Sequence, residues 1–147
     1  MPEYNTILTT TDFSDPALLG VRHAADLAAK LECELILAYV IEERLPALIL
    51  AVSPEPVAEI IEIHRKNAQK SLTDYAEKHL SGTAVETVVL QGFAHVAIVE
   101  LARARKADLI VLGTHGHGFM GRILMGSTTE RVIHDAPCPV MVVPSRH

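Results

Sequence analysis

A chain of 147 residues is the length of one ordinary domain, and a core of that size buries about 70% of the surface its unfolded chain exposes, so stability needs neither disulfides nor a metal. Hydrophobic residues make up 49% and charged residues 21%, which argues against disorder, collagen-like repeats and a coiled coil. With 13 Lys and Arg against 18 Asp and Glu, the net charge of -5 opposes broad attraction to nucleic acid or to an anionic membrane surface.

Taken in order, residues 4–11 are β-rich and apolar at Ile7 and Leu8. They lead into Asp12-Phe-Ser-Asp-Pro16, where Ser14 or Asp15 caps a helix with Pro16 at its first position. That helix runs to about Leu31 and is expected to bury Leu19, Ala24, Leu27, Ala28 and Leu31. Residues 34–41 (ELILAYVI) form a nearly all-apolar strand, a pattern that belongs to a parallel sheet covered on both faces. An irregular stretch over 44–56 follows, and within it residues 45–52 read as a buried amphipathic turn ahead of a pocket lining or a partner-facing segment. This run contains Pro46 and falls far short of the ~20 residues of a membrane helix. The N-terminus, Met1-Pro-Glu-Tyr-Asn, has neither a basic nor an apolar leader segment, and the expectation is a soluble, cytoplasmic protein. A long helix is predicted over 57–80, ended by Ser81-Gly82, then a strand over 84–90 closed by Gly92. Residues 94–106 repeat the helical pattern through Val96, Ile98, Val99, Leu101 and Ala102. Residues 108–112 form a fourth strand, 128–135 a last helix and Pro139–Val143 a last strand. Cys33 and Cys138 show no metal-ligand or redox spacing and read as reduced, packed thiols.

Strict alternation of strand and helix points to one open three-layer α/β/α domain spanning residues 1–147, with right-handed crossovers. Ligands of such sheets bind beyond the carboxyl ends of the strands, so the loops after Thr11, Ile41, Leu90 and Leu112 are the ones to inspect. Five of the eight glycines, Gly113, Gly116, Gly118, Gly121 and Gly126, fall in the last of these. A glycine-dense loop can wrap its N–H groups around an anion, and the loop opens onto a helix start at Ser127-Thr128-Thr129-Glu130, with capping-box spacing between Ser127 and Glu130. Phosphate is the natural guest. No glycine precedes a lysine, so a Walker loop is excluded, and Gly116-His-Gly118-Phe-Met-Gly121 matches a dinucleotide fingerprint only literally, because it does not open the first helix of a βαβ unit. His115-x-His117 has no third ligand nearby and is weak as a zinc site. Ser127 lacks the elbow of a hydrolytic nucleophile, and Arg122 reads equally as a phosphate contact or a surface charge.

Gly113-x-x-Gly116, nine further residues and then Gly126-Ser127 resembles the G-2x-G-9x-G-(S/T) signature of the nucleotide-binding branch of the universal stress protein family. The segments ILTTTDFSD, ELILAYVIEE, ADLIVLGTHG and APCPVMVV are similar to that family's first, second, fourth and last strands, so the resemblance covers the whole chain. It implies an adenine nucleotide alpha hydrolase-like sheet of five parallel strands in order 3-2-1-4-5 and a homodimer formed through the last strand. It also implies ATP, or AMP or another adenine nucleotide, with Mg²⁺ or Mn²⁺ held through the phosphates. Carried over by residue, Thr11 and Asp12 meet the adenosine, Asp12 accepting from a ribose hydroxyl. Val40 reads adenine through its backbone, and Leu112 and Gly113 lie against the nucleoside. His115, Gly116, Gly126, Ser127, Thr128 and Thr129 hold the phosphates. Two positions depart from the pattern: Thr10 stands where many relatives have Pro and puts a hydroxyl near the base or ribose, and Gly92-Phe93-Ala94 replaces a Gly-x-Pro turn. The implied role is a nucleotide-dependent regulatory module with at most slow ATP hydrolysis. The alternatives are a slow ATPase or phosphoryl or nucleotidyl transferase, and a nucleotide-free structural or chaperone-like dimer.

Overall fold

The computed structural model describes residues 3–42, 54–114 and 126–145. Its elements in chain order are β1 (Thr6–Thr10), α1 (Asp15–Leu31), β2 (Glu34–Ile41), α2 (Pro54–His79), β3 (Glu86–Gln91), α3 (Ala94–Ala104), β4 (Leu109–Gly113), α4 (Ser127–Asp135) and β5 (Val140–Val143). The strands form one parallel sheet in the order β3-β2-β1-β4-β5, as the resemblance implied.

The apolar strands follow from burial on both faces. Ile7 of β1 pairs with Leu35 on one side and Leu109 on the other. These three, with Leu37 and Val111, face Val21 and Ala24 of α1 and Leu72 of α2. One residue further along each strand, Leu8, Ile36 and Ile110 face Ile98 of α3 and Val132 of α4. The two-residue period of the strands therefore feeds two cores, and each fully buried Leu or Ile contributes about 1.5–3 kcal/mol.

Several boundaries move from their predicted places. Ser14 is the N-cap of α1, its Oγ accepting from Ala17 N at 3.3 Å, so Pro16 occupies the second helical position, where its missing N–H has no role. The same tolerance lets α2 begin at Pro54, ahead of the predicted start, with Pro56 inside its first turn. Asp108 lies outside β4; its carboxylate accepts from Asn5 N at 2.7 Å and Thr6 N at 3.0 Å, tying the entrances of β1 and β4 together. The core face of α1 is also rotated. Gly20, Val21, Ala24, Ala25 and Ala28 are buried, whereas Leu19 and Leu31 are exposed.

The cause is a close approach of α1 to β4. A Cβ on Gly20 would sit 2.6 Å from Gly113 N, and one on Gly113 would sit 2.2 Å from Pro16 O. Only a glycine pair allows this contact, and the small face of the helix turns inward to make it. Gly113 thus has a packing duty that its loop position alone did not reveal, and Gly20 is its unpredicted partner.

Candidate functional site

A cleft of about 610 Å³ opens at the carboxyl ends of β1, β2 and β4, between the β1–α1 loop and the start of α4. It lies where strand order reverses, with β2 and β3 on one side of β1 and β4 and β5 on the other. Of the residues singled out in the sequence, Thr10, Thr11, Asp12, Val40, Leu112, Gly113, Ser127, Thr128 and Thr129 line it. Gly126 adjoins it as the N-cap of α4. His115 and Gly116 lie outside the described residues, as do His117, Arg122 and the stretch 45–52.

The β1–α1 loop is held by its own side chains. Thr11, buried, donates its N–H to Ala38 O at 3.0 Å, and its Oγ1 accepts from Phe13 N at 2.9 Å. Asp12 is exposed, and its Oδ1 accepts from Ser14 N at 2.9 Å, an Asx turn that leaves Oδ2 without a protein partner among the described residues. Between them Phe13 adopts φ 68, a left-handed conformation that costs a non-glycine residue about 1 kcal/mol or more and persists only where the surroundings enforce it. Here its ring packs at 4.8 Å from Tyr39 and 5.4 Å from Tyr75.

The end of β2 presents backbone that has no backbone partner among the described residues on its cleft side. In a parallel ladder the N–H and C=O of one residue point to the same neighbouring strand, and residues two apart repeat that direction. Ala38 O accepts from Thr11 N, so Val40 turns its N–H and C=O the same way, where β1 has already ended at Thr10. A donor and an acceptor side by side match the hydrogen-bonding edge of a heterocyclic base.

At the opposite wall, α4 begins one residue earlier than its capping-box spacing predicts. Gly126 is the N-cap, with no side-chain cap bond, and its O accepts from Glu130 N at 3.1 Å. Ser127 therefore lies inside the helix and the Ser127–Glu130 box is not formed. The N–H groups of Ser127, Thr128 and Thr129 have no backbone partner among the described residues, and all three hydroxyls sit beside them. Gly126 has φ -67, which any residue adopts, so positive φ is not the reason for a glycine there. The charged residues lining the described part of the cleft are Asp12 and Glu42. Attraction for an anion would thus come from the dipole and free amides of α4.

Sequence reasoning missed Tyr39, Ile41, Glu42, Ala94, Ile98 and Thr114, which also line the cleft. Their one available signal was position, at or just past the carboxyl end of β2 or β4 or in the first turns of α3. Both cysteines are free, and burial pushes each thiol's pKa up, with the Asp108 carboxylate adding to it. Among the described residues, no group of three or more His, Cys, Asp or Glu is placed to hold a metal ion, and no helix is long and apolar enough to cross a membrane.

Residues 3–144 match the universal stress protein family. The chain is 38% identical to the universal stress protein MJ0531 of Methanocaldococcus jannaschii over 144 residues, covering 95% of this chain and 82% of that one. Among solved structures, that of the hypothetical protein MJ0577, whose biochemical function was assigned from structure, superposes with a TM-score of 0.80 at 31% identity over 99% of each chain. A universal stress protein in complex with cAMP superposes with a TM-score of 0.59 at 26% identity, covering 97% of this chain and 98% of that one.

Proposed function

Because the chain belongs to the universal stress protein family, we propose that it binds ATP, or AMP or another adenine nucleotide, as a regulatory module of a cytoplasmic stress response. One observation carries the reading: groups suited to the two ends of a nucleotide meet in one cleft at the sheet's switch point. The free Oδ2 of Asp12 accepts from a ribose hydroxyl, with Thr10 and Thr11 beside it. The backbone of Val40 pairs with adenine, and Leu112 and Gly113 pack on the nucleoside. Gly126, Ser127, Thr128 and Thr129, with His115 and Gly116, hold the phosphates. A volume of about 610 Å³ lies within the usual range for small-molecule sites, about 300–1,000 Å³. Amides and hydroxyls grip phosphate oxygens without formal charge, and Mg²⁺ or Mn²⁺ would be held by phosphates and water.

Binding rather than turnover fits this chemistry. Phosphoryl transfer relies on positioning and charge neutralisation, and with no lysine in residues 113–126 these would rest on the phosphate-bound metal ion and on the amides and hydroxyls of the described lining. The cAMP complex of a 26%-identical relative supports the adenine nucleotide class. We place a homodimer contact on Pro139–Val143, since β5 is an edge strand whose outer backbone has no partner strand among the described residues and whose four side chains are only part-buried.

Calorimetry with ATP and Mg²⁺ tests the reading. Asp12→Asn keeps the Oδ1 that caps Ser14 but loses the charged acceptor, and its affinity should fall between tenfold and a hundredfold, the worth of a charge-assisted hydrogen bond of about 1.5–3 kcal/mol. Millimolar ATP that changes neither heat nor melting temperature refutes nucleotide binding. Turnover above background that Asp12→Asn abolishes would instead establish a slow hydrolase or transferase.

A further inference from the structure

We propose that Phe13 is a positioning residue for the cleft: its ring, clamped between Tyr39 of β2 and Tyr75 of α2, holds the β1–α1 loop in the form that keeps Asp12 on the cleft wall. The inference rests on the nucleotide-binding reading above and identifies what fixes its ribose acceptor in place.

The loop does not hold itself. Phe13 N donates to Thr11 Oγ1, and Ser14 N donates to Asp12 Oδ1, so two side-chain bonds enclose Phe13. Asp12 is exposed, and water competes for its bond. The chain passes between these bonds at φ 68, a conformation that glycine takes freely and that phenylalanine resists. Such a residue persists only where its surroundings enforce it, and strain of this kind gathers at ligand sites.

The enforcing contacts are aromatic. The Phe13 centroid lies 4.8 Å from that of Tyr39, the rings tilted by 40°, and 5.4 Å from that of Tyr75, edge-on, separations at which such rings attract. Tyr39 is fixed in β2, in register with Val89 of β3, and the Tyr75 ring lies 4.6 Å from that of His79 on α2. The loop is thus tied to the sheet on one side and to a helix on the other, and swinging Phe13 out of the left-handed region would break both contacts. Among the described residues Phe13 lines a second depression, of about 480 Å³, and not the cleft, so its effect on a ligand passes through the loop. Glycine would enter the same conformation more easily and leave it as easily.

Phe13→Gly removes the ring and the strain together. With the freed loop in its binding form about a tenth of the time, the Kd for ATP with Mg²⁺ should rise about tenfold. In the Asp12→Asn background, where the charged acceptor is already gone, the same substitution should cost little further affinity. Phe13→Ala loses the ring but keeps the strain, and should melt below Phe13→Gly. In the ATP-free protein, amide exchange at Ser14, followed by NMR, should quicken about tenfold in Phe13→Gly while that of β1 stays unchanged. Unchanged Kd, an equal loss in the Asp12→Asn background, a higher melting temperature for Phe13→Ala, or unchanged exchange at Ser14 overturns the proposal and leaves Phe13 a packing residue. If the unaltered protein binds no ATP, the nucleotide reading falls, and the exchange at Ser14 with the melting order decides whether Phe13 holds the loop.

Discussion

Gly113→Ala tests how closely the site depends on packing. The added Cβ would lie 2.2 Å from Pro16 O, 2.9 Å from Pro16 C and 3.1 Å from Ala17 Cα. These are backbone atoms in the first turn of α1, so no rotamer change relieves the overlap. An ordinary carbon–oxygen contact needs about 1 Å more, and the helix start must move off β4 by that amount, carrying the Asp12–Ser14 loop with it. Overpacking of a well-filled core costs about 1–3 kcal/mol, and a backbone collision belongs at or above the top of that range. At about 3 °C per kcal/mol for a chain of this length, the melting temperature should fall by ~10 °C. Gly20→Ala strikes the same contact from the other side, at 2.6 Å from Gly113 N, so the double variant should lose less than the sum of the two. Gly82→Ala is the control: its φ is +85 with nothing near the new Cβ, and it should cost only ~1 kcal/mol of backbone strain. Urea unfolding with unchanged m-value reads all four. A Gly113→Ala protein that melts within 2 °C of the original, by the ~3 °C scale above, would show that the α1–β4 contact is looser than described.

Two further predictions concern the phosphate wall and the surface. Gly126→Val should leave the fold intact, since φ -67 suits any residue, while the branched side chain beside the free amides of α4 lowers ATP affinity at least tenfold; full affinity in that variant would mean the phosphates lie elsewhere. Glu86 is paired with both terminal nitrogens of Arg105, which hold its carboxyl below its ordinary value of 4.5. A depressed pKa contributes stability above the unfolded value that disappears as pH falls through the folded one. The melting-temperature gap between the original protein and Glu86→Gln should therefore be small at pH 7, because the pair is half exposed, and should vanish at acid pH; a gap that widens on acidification contradicts the assignment.

Much of this molecule is legible from residue types and spacing. Strands such as 34–41, apolar at every interior position, must be covered on both faces, and that alone requires helices above and below a parallel sheet. Chain order alone points to the loops after Thr11, Ile41 and Leu112 and to the helix start at Ser127–Thr129, whereas Asp12 and Val40 were singled out within that edge by the family resemblance. The inner face of α1 was misread, because helical periodicity weighs Leu19 and Leu31 above Gly20, whereas a glycine on β4 across the interface reverses that ranking.

What only the tertiary structure decided is everything that depends on two distant segments meeting. The open Val40 backbone follows from where β1 stops, the role of Gly113 from its contact with Pro16, and the edge-on meeting of Phe13 and Tyr75 from α2 packing on the β1–α1 loop. The physical reason is common to all three. Hydrophobic pattern and backbone propensity act over a few neighbours in sequence and so specify elements, but close contact and hydrogen-bond satisfaction are settled over a few ångströms in space, between residues that the chain order keeps far apart.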